Sequence, residues 1–270
     1  DSMSSSASAN TLPLELLDTI SLDGLNAKAE MLERLDNKYV LDVGVMRRAI
    51  ERLAPHFDVL EIDRKRTFTY ETCYFDGREL PCYFDHHRRR RQRVKVRMRT
   101  YTDAGLCFVE VKLKDKRGVT VKKRLRHEAH KFGVLDERAK SHVHHTYQTL
   151  YGRAFPYDLM RVLDMHYQRT TLVAKQGGER MTIDSDLIFF ANGNSRAIDD
   201  GLFVVETKSA NGNGIADRML RALHQHPTSH CSKYCLGTVF MNAGLQHNNF
   251  RTALRKLQGT ESQVLKERDA

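Results

Sequence analysis

The chain has 270 residues, 44 of them Lys or Arg and 34 Asp or Glu, for a net charge of +10 with His neutral. A hydrophobic share of 40%, spread along the whole length, supports a core and excludes long-range disorder, and no run approaches the roughly 18 apolar residues of a membrane span. Five Cys at irregular spacing exclude a disulfide-stapled scaffold and favour a reduced, intracellular location, cytoplasmic or at the cytoplasmic face of a membrane. The surplus positive charge implies an anionic partner: nucleic acid, a membrane surface or a small polyanion.

Residues 1–11 read as a low-complexity leader, residues 12–260 as one domain and residues 261–270 as a polar tail. Residues 12–32 mix apolar and acidic positions and predict short helices. Asp42 precedes VGVMRRAIERLA, where Val43, Met46, Ile50 and Leu53 fall at helical spacing before Pro55. From about residue 66 the period changes to two. FTYETCYFD, RVKVRMRTY, CFVEVKLKDK and VTVKKRLRHE each alternate and predict strands. Helix returns over 134–151. Strands follow at LDMHYQRTTLVA, RMTIDSDLIFF and GLFVVETKS, and helical patterns recur near 215–225 and 248–258.

The alternation segregates charge. Arg93, Lys95, Arg97 and Arg99 share one face of their strand, and Val94, Val96 and Met98 the other. Glu110, Lys112, Lys114 and Lys116 oppose Val109, Val111 and Leu113 in the same way. Lys122, Arg124 and Arg126 share a face, as do Glu206 with Lys208, and Arg34 with Asp36 and Lys38. One explanation is a sheet with its charged face in water. Against it, rows of like charge repel across a ladder unless an anion sits among them. A barrel with apolar residues outside and basic residues inside accommodates such an anion, and roughly eight strands leave a lumen of useful width. Guanidinium forks match phosphate oxygens, and Lys supplies a mobile point charge. Glu110 and Glu206, each two residues before a Lys on the same face, are placed to hold a divalent metal through hard oxygen ligands. Metal, Arg and Lys together are the machinery of phosphoryl transfer. Neither a P-loop nor a GxGxxG fingerprint is present.

ERLDNKY (33–39), YETCYFD (70–76), RVKVRMRTY (93–101), FVEVKLK (108–114), VTVKKR (119–124), YQR (167–169), RMTID (180–184), FVVETK (203–208) and SKY (232–234) occur in an order that resembles the VTC domain. That domain is the catalytic module of polyphosphate polymerases, within the CYTH-like triphosphate tunnel metalloenzyme superfamily. The resemblance implies an α+β fold: a closed antiparallel tunnel of about eight strands with a basic interior, flanked by helices. It implies catalytic roles for Lys38, Arg97, Arg99, Lys112, Arg169 and Lys233. It implies substrate contacts from Arg34, Lys95, Lys114, Lys122, Arg124, Tyr167, Arg180, Lys208 and Ser232, and Mn2+ or Mg2+ at Glu206, with Glu110 as the other metal candidate. The implied substrates are ATP and inorganic polyphosphate or triphosphate, with ADP released. The superfamily's hydrolases carry ExExK on the first strand. Here Arg34 replaces the first Glu, as in the polymerase branch, and Asp36 departs from the usual second Glu. A tripolyphosphatase or nucleoside triphosphatase of the same fold, and a non-enzymatic polyanion binder, are the alternatives.

Other motifs have plainer readings. Arg88–Arg91 are contiguous, so they cannot all face a lumen; they are expected on a surface loop, solvated or loosely holding polyanions. His224, His226, His230, Cys231 and Cys235 fit no zinc spacing. His142, His144 and His145 read as an exposed helix face. Glu71 and Asp184 are read as salt-bridge partners of the basic wall rather than metal ligands, and Tyr74, Phe75, Tyr83 and Phe84 as core. The signatures of nucleic-acid-binding motifs are absent, so no specific nucleic-acid partner is expected.

Overall fold

The computed structural model describes residues 12–28, 34–228 and 232–242. The leader, the polar tail and the helical pattern near 248–258 lie outside the described residues.

Eight strands carry the architecture. They are β2 (Leu35–Asp42), β4 (Phe68–Asp76), β5 (Val94–Tyr101), β6 (Leu106–Lys114), β7 (Thr120–His127), β8 (Met160–Ala174), β9 (Arg180–Ala191) and β11 (Leu202–Ser209). They run antiparallel in the order β2-β11-β9-β8-β4-β5-β6-β7. Three short strands extend the sheet: β1 (Asp18–Ile20) parallel to β3 (Phe57–Leu60), β3 against β8, and β10 (Asn194–Ala197) against β9. Among the described residues no ladder joins β2 to β7, so hydrogen bonds do not complete the ring. The chain just before residue 229 lies against the free edge of β2, where Thr228 N donates to Lys38 O at 2.6 Å. The sheet nevertheless curls far enough for Lys112 and Lys114 on β6 to act electrostatically on Asp36 of β2. The result is an antiparallel tunnel.

The apolar faces of β5 and β6, and of β2, β9 and β11, are turned outward and covered. On β5 and β6, Val94, Val96, Met98, Val109, Val111 and Leu113 pack under Ala139, Val143 and Tyr147 of α4 (Glu137–Tyr151). On the other side, Tyr39, Leu41, Ile183 and Val205 pack under α2 (Val43–Leu53) and α5 (Ile215–Ala222). Both α2 and α4 are capped by an aspartate: Asp42, which precedes the predicted helix, accepts from Val45 N at 2.8 Å, and Asp136, inside the stretch expected to be helical, accepts from Ala139 N at 2.9 Å. α1 (Leu22–Lys28) buries Leu25 against Leu60 and Val173 near β3.

Two helices enter from the inside. α3 (Pro81–His87) and α6 (Lys233–Met241) pack against each other and close one end of the lumen. α6 lies on the inner face, where Tyr234, Leu236, Val239 and Phe240 meet Val40, Val204, Leu163, Met165 and Phe189. Gly237 permits this approach, because a Cβ there would stand 2.7 Å from Phe189 and 2.8 Å from Leu163. Asp76 ties the two helices together. Its carboxylate accepts from the N–H groups of Cys82 and Tyr83 at 3.0 Å each, and from the Tyr234 hydroxyl.

The helical reading of 12–32 is corrected in part, since Asp18–Ile20 is a strand. Neither α3 nor α6 is expected from the residue pattern. α6 is buried on all sides from Tyr234 to Phe240, so it has no amphipathic period to detect.

Candidate active site in the tunnel

The pleat of β5 sends Lys95, Arg97 and Arg99 one way, and the register of its neighbours decides what they meet. Lys95 opposes Lys112, which opposes Lys122; Arg97 opposes Glu110, which opposes Arg124. Across β4, Tyr74 opposes Arg97, Thr72 opposes Arg99 and Tyr70 opposes Tyr167. Farther round, Arg169 opposes Asp184, Glu206 lies between Thr182 and Lys38, and Lys208 lies between Arg180 and Asp36. All of these face the lumen. Lys233, at the first turn of α6, points its ammonium at Asp184 Oδ2 from 2.6 Å. Ser232 caps α6, its hydroxyl accepting from Cys235 N at 3.1 Å. Arg34 is close enough to Arg180 to weaken its hold on a proton, second to the effect of burial.

Two carboxylates are fully engaged by cations. Glu110, with no exposed surface, receives Arg97 Nε at 3.0 Å and Lys122 Nζ at 2.5 Å, with Arg99 Nε at 3.9 Å. Burial pushes this carboxyl up, but Arg97, Arg99 and Lys122 together hold it well below the usual range. Asp184 takes a two-pronged contact from Arg169, Nε at 2.8 Å and Nη2 at 2.9 Å, besides Lys233. Tyr167 sits between these pairs. Its hydroxyl accepts from Arg99 Nη2 at 2.8 Å, and although burial opposes it, Arg99, Arg169 and Lys233 pull the phenol below its ordinary value.

Other cations have no such partner. Among the described residues Lys95, Lys112 and Lys114 make no ion pair and no side-chain hydrogen bond, and Arg180 Nε and Thr72 Oγ1 are buried without one. Burial and then Lys38 push Lys95 down to about 7. Arg97, burial and Lys95 hold Lys112 well below an ordinary lysine. Burial lowers Lys122 to about 8 against the pull of Glu110. Buried like charges without counterions are costly, and a polyanion in the lumen relieves that cost.

Asp36 and Glu206 form a different kind of pair. Burial, and then the charge of Glu206, raise the Asp36 carboxyl. Burial likewise pushes Glu206 up, yet Lys38, Lys208, Lys112 and Lys233 hold it well down. Two hard oxygen donors that repel one another suit a divalent cation. No group of three or more His, Cys, Asp or Glu is gathered for a metal among the described residues.

The inner face therefore gathers Lys38, Lys95, Arg97, Arg99, Glu110, Lys112, Lys122, Tyr167, Arg169, Arg180, Glu206, Lys208 and Lys233, with Lys114 toward one end and Arg124, exposed, on β7 at the sheet's edge. Glu71 does not join them. It alternates with Thr72 and lies on the outer face of β4, so it is no partner of the basic wall. Asp184 does join, as an ion-pair partner. Arg88–Arg91 follow α3 and are exposed. Cys235 is buried in α6, while His230 and Cys231 lie outside the described residues. No helix among the described residues is long and apolar enough to cross a membrane.

A curled antiparallel sheet with cations turned inward and helices packed outside defines an α+β tunnel protein. The model of the VTC domain matches residues 33–242, and the chain belongs to that family. Among solved structures it is similar to a protein from Hippeastrum described as an adenylyl cyclase candidate with a dominant triphosphatase activity. That pair shares 13% identity over 79% of this chain and 98% of the other, with a TM-score of 0.46. It is also similar to a candidate adenylate cyclase from Bacillus halodurans (10% identity, 72% and 92% covered, TM-score 0.41) and to a protein from Pyrococcus horikoshii (14%, 76% and 97%, TM-score 0.42). No curated protein matches the chain at a comparable level of significance.

Proposed function

We propose that the protein is a metal-dependent polyphosphate polymerase, moving the γ-phosphoryl group of ATP onto a polyphosphate chain with release of ADP. The observation that carries this reading is the row of lysines on β5 and β6 that lack carboxylate partners, facing the Asp36–Glu206 pair across one lumen. Donor and acceptor are both highly anionic, and in a lumen of low dielectric they repel unless neutralised. Arg97, Arg99, Lys112 and Lys122 on one wall and Lys38, Arg169 and Lys233 on the other supply that neutralisation. They also hold the two phosphate chains end to end, which lines the attacking oxygen up with the γ-phosphorus. A phosphate terminus is already ionised at neutral pH, so the attacking group needs no general base. Lys95 and Lys112 meet the charge that collects on the transferring group. Glu206 and Asp36 would hold Mn2+ or Mg2+, which when bound supplies further charge neutralisation at the phosphate oxygens.

The test is incubation with ATP, Mn2+ and a short polyphosphate primer, with polymer, ADP and phosphate measured in parallel. ADP with a lengthening polymer, lost in Glu206→Ala and Lys38→Ala, is the expected result. Phosphate without polymer would transfer the assignment to a triphosphatase of this fold. ATP left intact with and without metal would leave a binding device and remove the catalytic roles.

A further inference from the structure

One end of the tunnel differs from the rest of its interior. β5, β6 and β7 carry one Tyr or Phe apiece at most: Tyr101 on β5, Phe108 on β6 and none on β7. Both face the lumen, two residues beyond the level of Arg99 and Glu110 respectively, toward the same end. Tyr70 of β4 opposes Tyr101, and the three rings form a chain. Tyr70 and Tyr101 meet edge to face at 4.7 Å, and Tyr101 and Phe108 at 5.9 Å. Guanidinium groups lie against them. Arg124 stands 4.4 Å over the Phe108 ring and Arg126 stands 5.8 Å from it. The buried, unpartnered Nε of Arg180 belongs to a side chain that senses both Tyr70 and Tyr101.

Core packing accounts for Tyr70, which lies against the inner cluster around Leu163, Met165 and Tyr167, but not for its two neighbours. Tyr101 and Phe108 belong to none of the hydrophobic clusters among the described residues, and both are half-buried on a wall that otherwise carries cations and Glu110. Rings and guanidinium planes side by side form the surface on which a nucleobase stacks. The cluster also lies at the right remove from the phosphate-binding cations. Two residues along β5 span roughly 7 Å, about the reach of a ribose between the α-phosphate and a base.

We infer that the Tyr70–Tyr101–Phe108 cluster, with Arg124 and Arg126, is the site that holds the nucleobase of a nucleoside triphosphate whose phosphates occupy the tunnel. This rests on the proposed use of ATP. Stacking reads the π-face common to all bases, so the site accepts purines broadly and gains little from the identity of ring substituents. With the base at this end, the γ-phosphate points toward Lys112, Lys95 and Lys38.

Calorimetric titration of the full chain with ATP, GTP and inorganic tripolyphosphate separates this site from the phosphate site. Phe108→Ala and Tyr101→Ala are expected to weaken ATP and GTP about tenfold each, the scale of one lost base stack, and tripolyphosphate less than twofold. Phe108→Tyr, which keeps a ring, is expected to restore nucleotide affinity, and thermal unfolding of each variant reports its folding. Equal loss for nucleotide and tripolyphosphate would overturn the inference, as would an unchanged ATP affinity in both alanine variants. Wild-type chain binding ATP no more tightly than tripolyphosphate would overturn it while leaving the tunnel reading intact. Wild-type chain that stacks ATP in this way but makes no polymer would keep the base site and refute the polymerase.

Discussion

The wall built from β5, β6 and β7 holds Lys95, Arg97, Arg99, Lys112, Lys114 and Lys122 against one inner carboxylate, Glu110. The wall built from β2, β11, β9 and β8 sets Lys38, Lys208, Arg169 and Arg180 among Asp36, Glu206 and Asp184. Both read as charged faces in the sequence, yet they are balanced differently. The first is short of negative charge. The second supplies its own, so its cations stand among carboxylates rather than against one another.

The largest expected effect comes from removing the carboxylate on which the first wall depends. Glu110→Gln leaves Arg97 and Arg99 buried without their counterion, and should cost about 3–5 kcal/mol of stability. Added tripolyphosphate should recover part of it. Chemical denaturation with and without tripolyphosphate measures both, and a loss below 1 kcal/mol would mean the wall is solvated. Lys112→Met should act in the opposite sense. The unliganded protein becomes more stable, and tripolyphosphate affinity falls tenfold or more. A fall in both would show that Lys112 contributes to the fold rather than the site.

pH sharpens the comparison next. Lys95 at about 7 and Lys122 at about 8 lie below the roughly 10.4 of an unfolded lysine. The unfolded chain therefore binds more protons than the folded one between about pH 7 and 10, and these groups make unliganded stability rise with pH across that window. A polyanion favours their charged forms, so its affinity should fall over the same window and its binding should take up protons. Titration calorimetry at pH 8 in buffers of different ionisation enthalpy reads that uptake, which should shrink in Lys95→Met. The smallest effect is expected outside. Lys123 is exposed on the outer face of β7, and Lys123→Gln should move tripolyphosphate affinity less than twofold.

Much of this site was legible beforehand because β-pleat is local. A strand written RVKVRMRTY separates Arg97 and Arg99 from Val96 and Met98 whatever surrounds it. Glu110 shows where that reading stops. Its spacing beside Lys112 suited a metal ligand, but the register places Arg97 and Lys122 against it, and its oxygens go to those cations. Glu71 lost its place in the site for the reason that admitted its neighbours: β4 turns Thr72 inward, and so turns Glu71 out. Asp36 could not be weighed from sequence, since its meaning lies in Glu206, 170 residues away.

Alternation, the Asp42 cap and the two-faced strands follow from the sequence by itself, because pleat and cap chemistry involve residues within a few positions of one another. Tertiary structure alone decided that the charged faces turn inward, that α6 lies in the lumen with Lys233 against Asp184, and that Tyr70, Tyr101 and Phe108 meet at one end. Those outcomes depend on which strands pair and how far the sheet curls. No short-range pattern encodes either, and both are settled only when the apolar outer faces find α2, α4 and α5 to cover them.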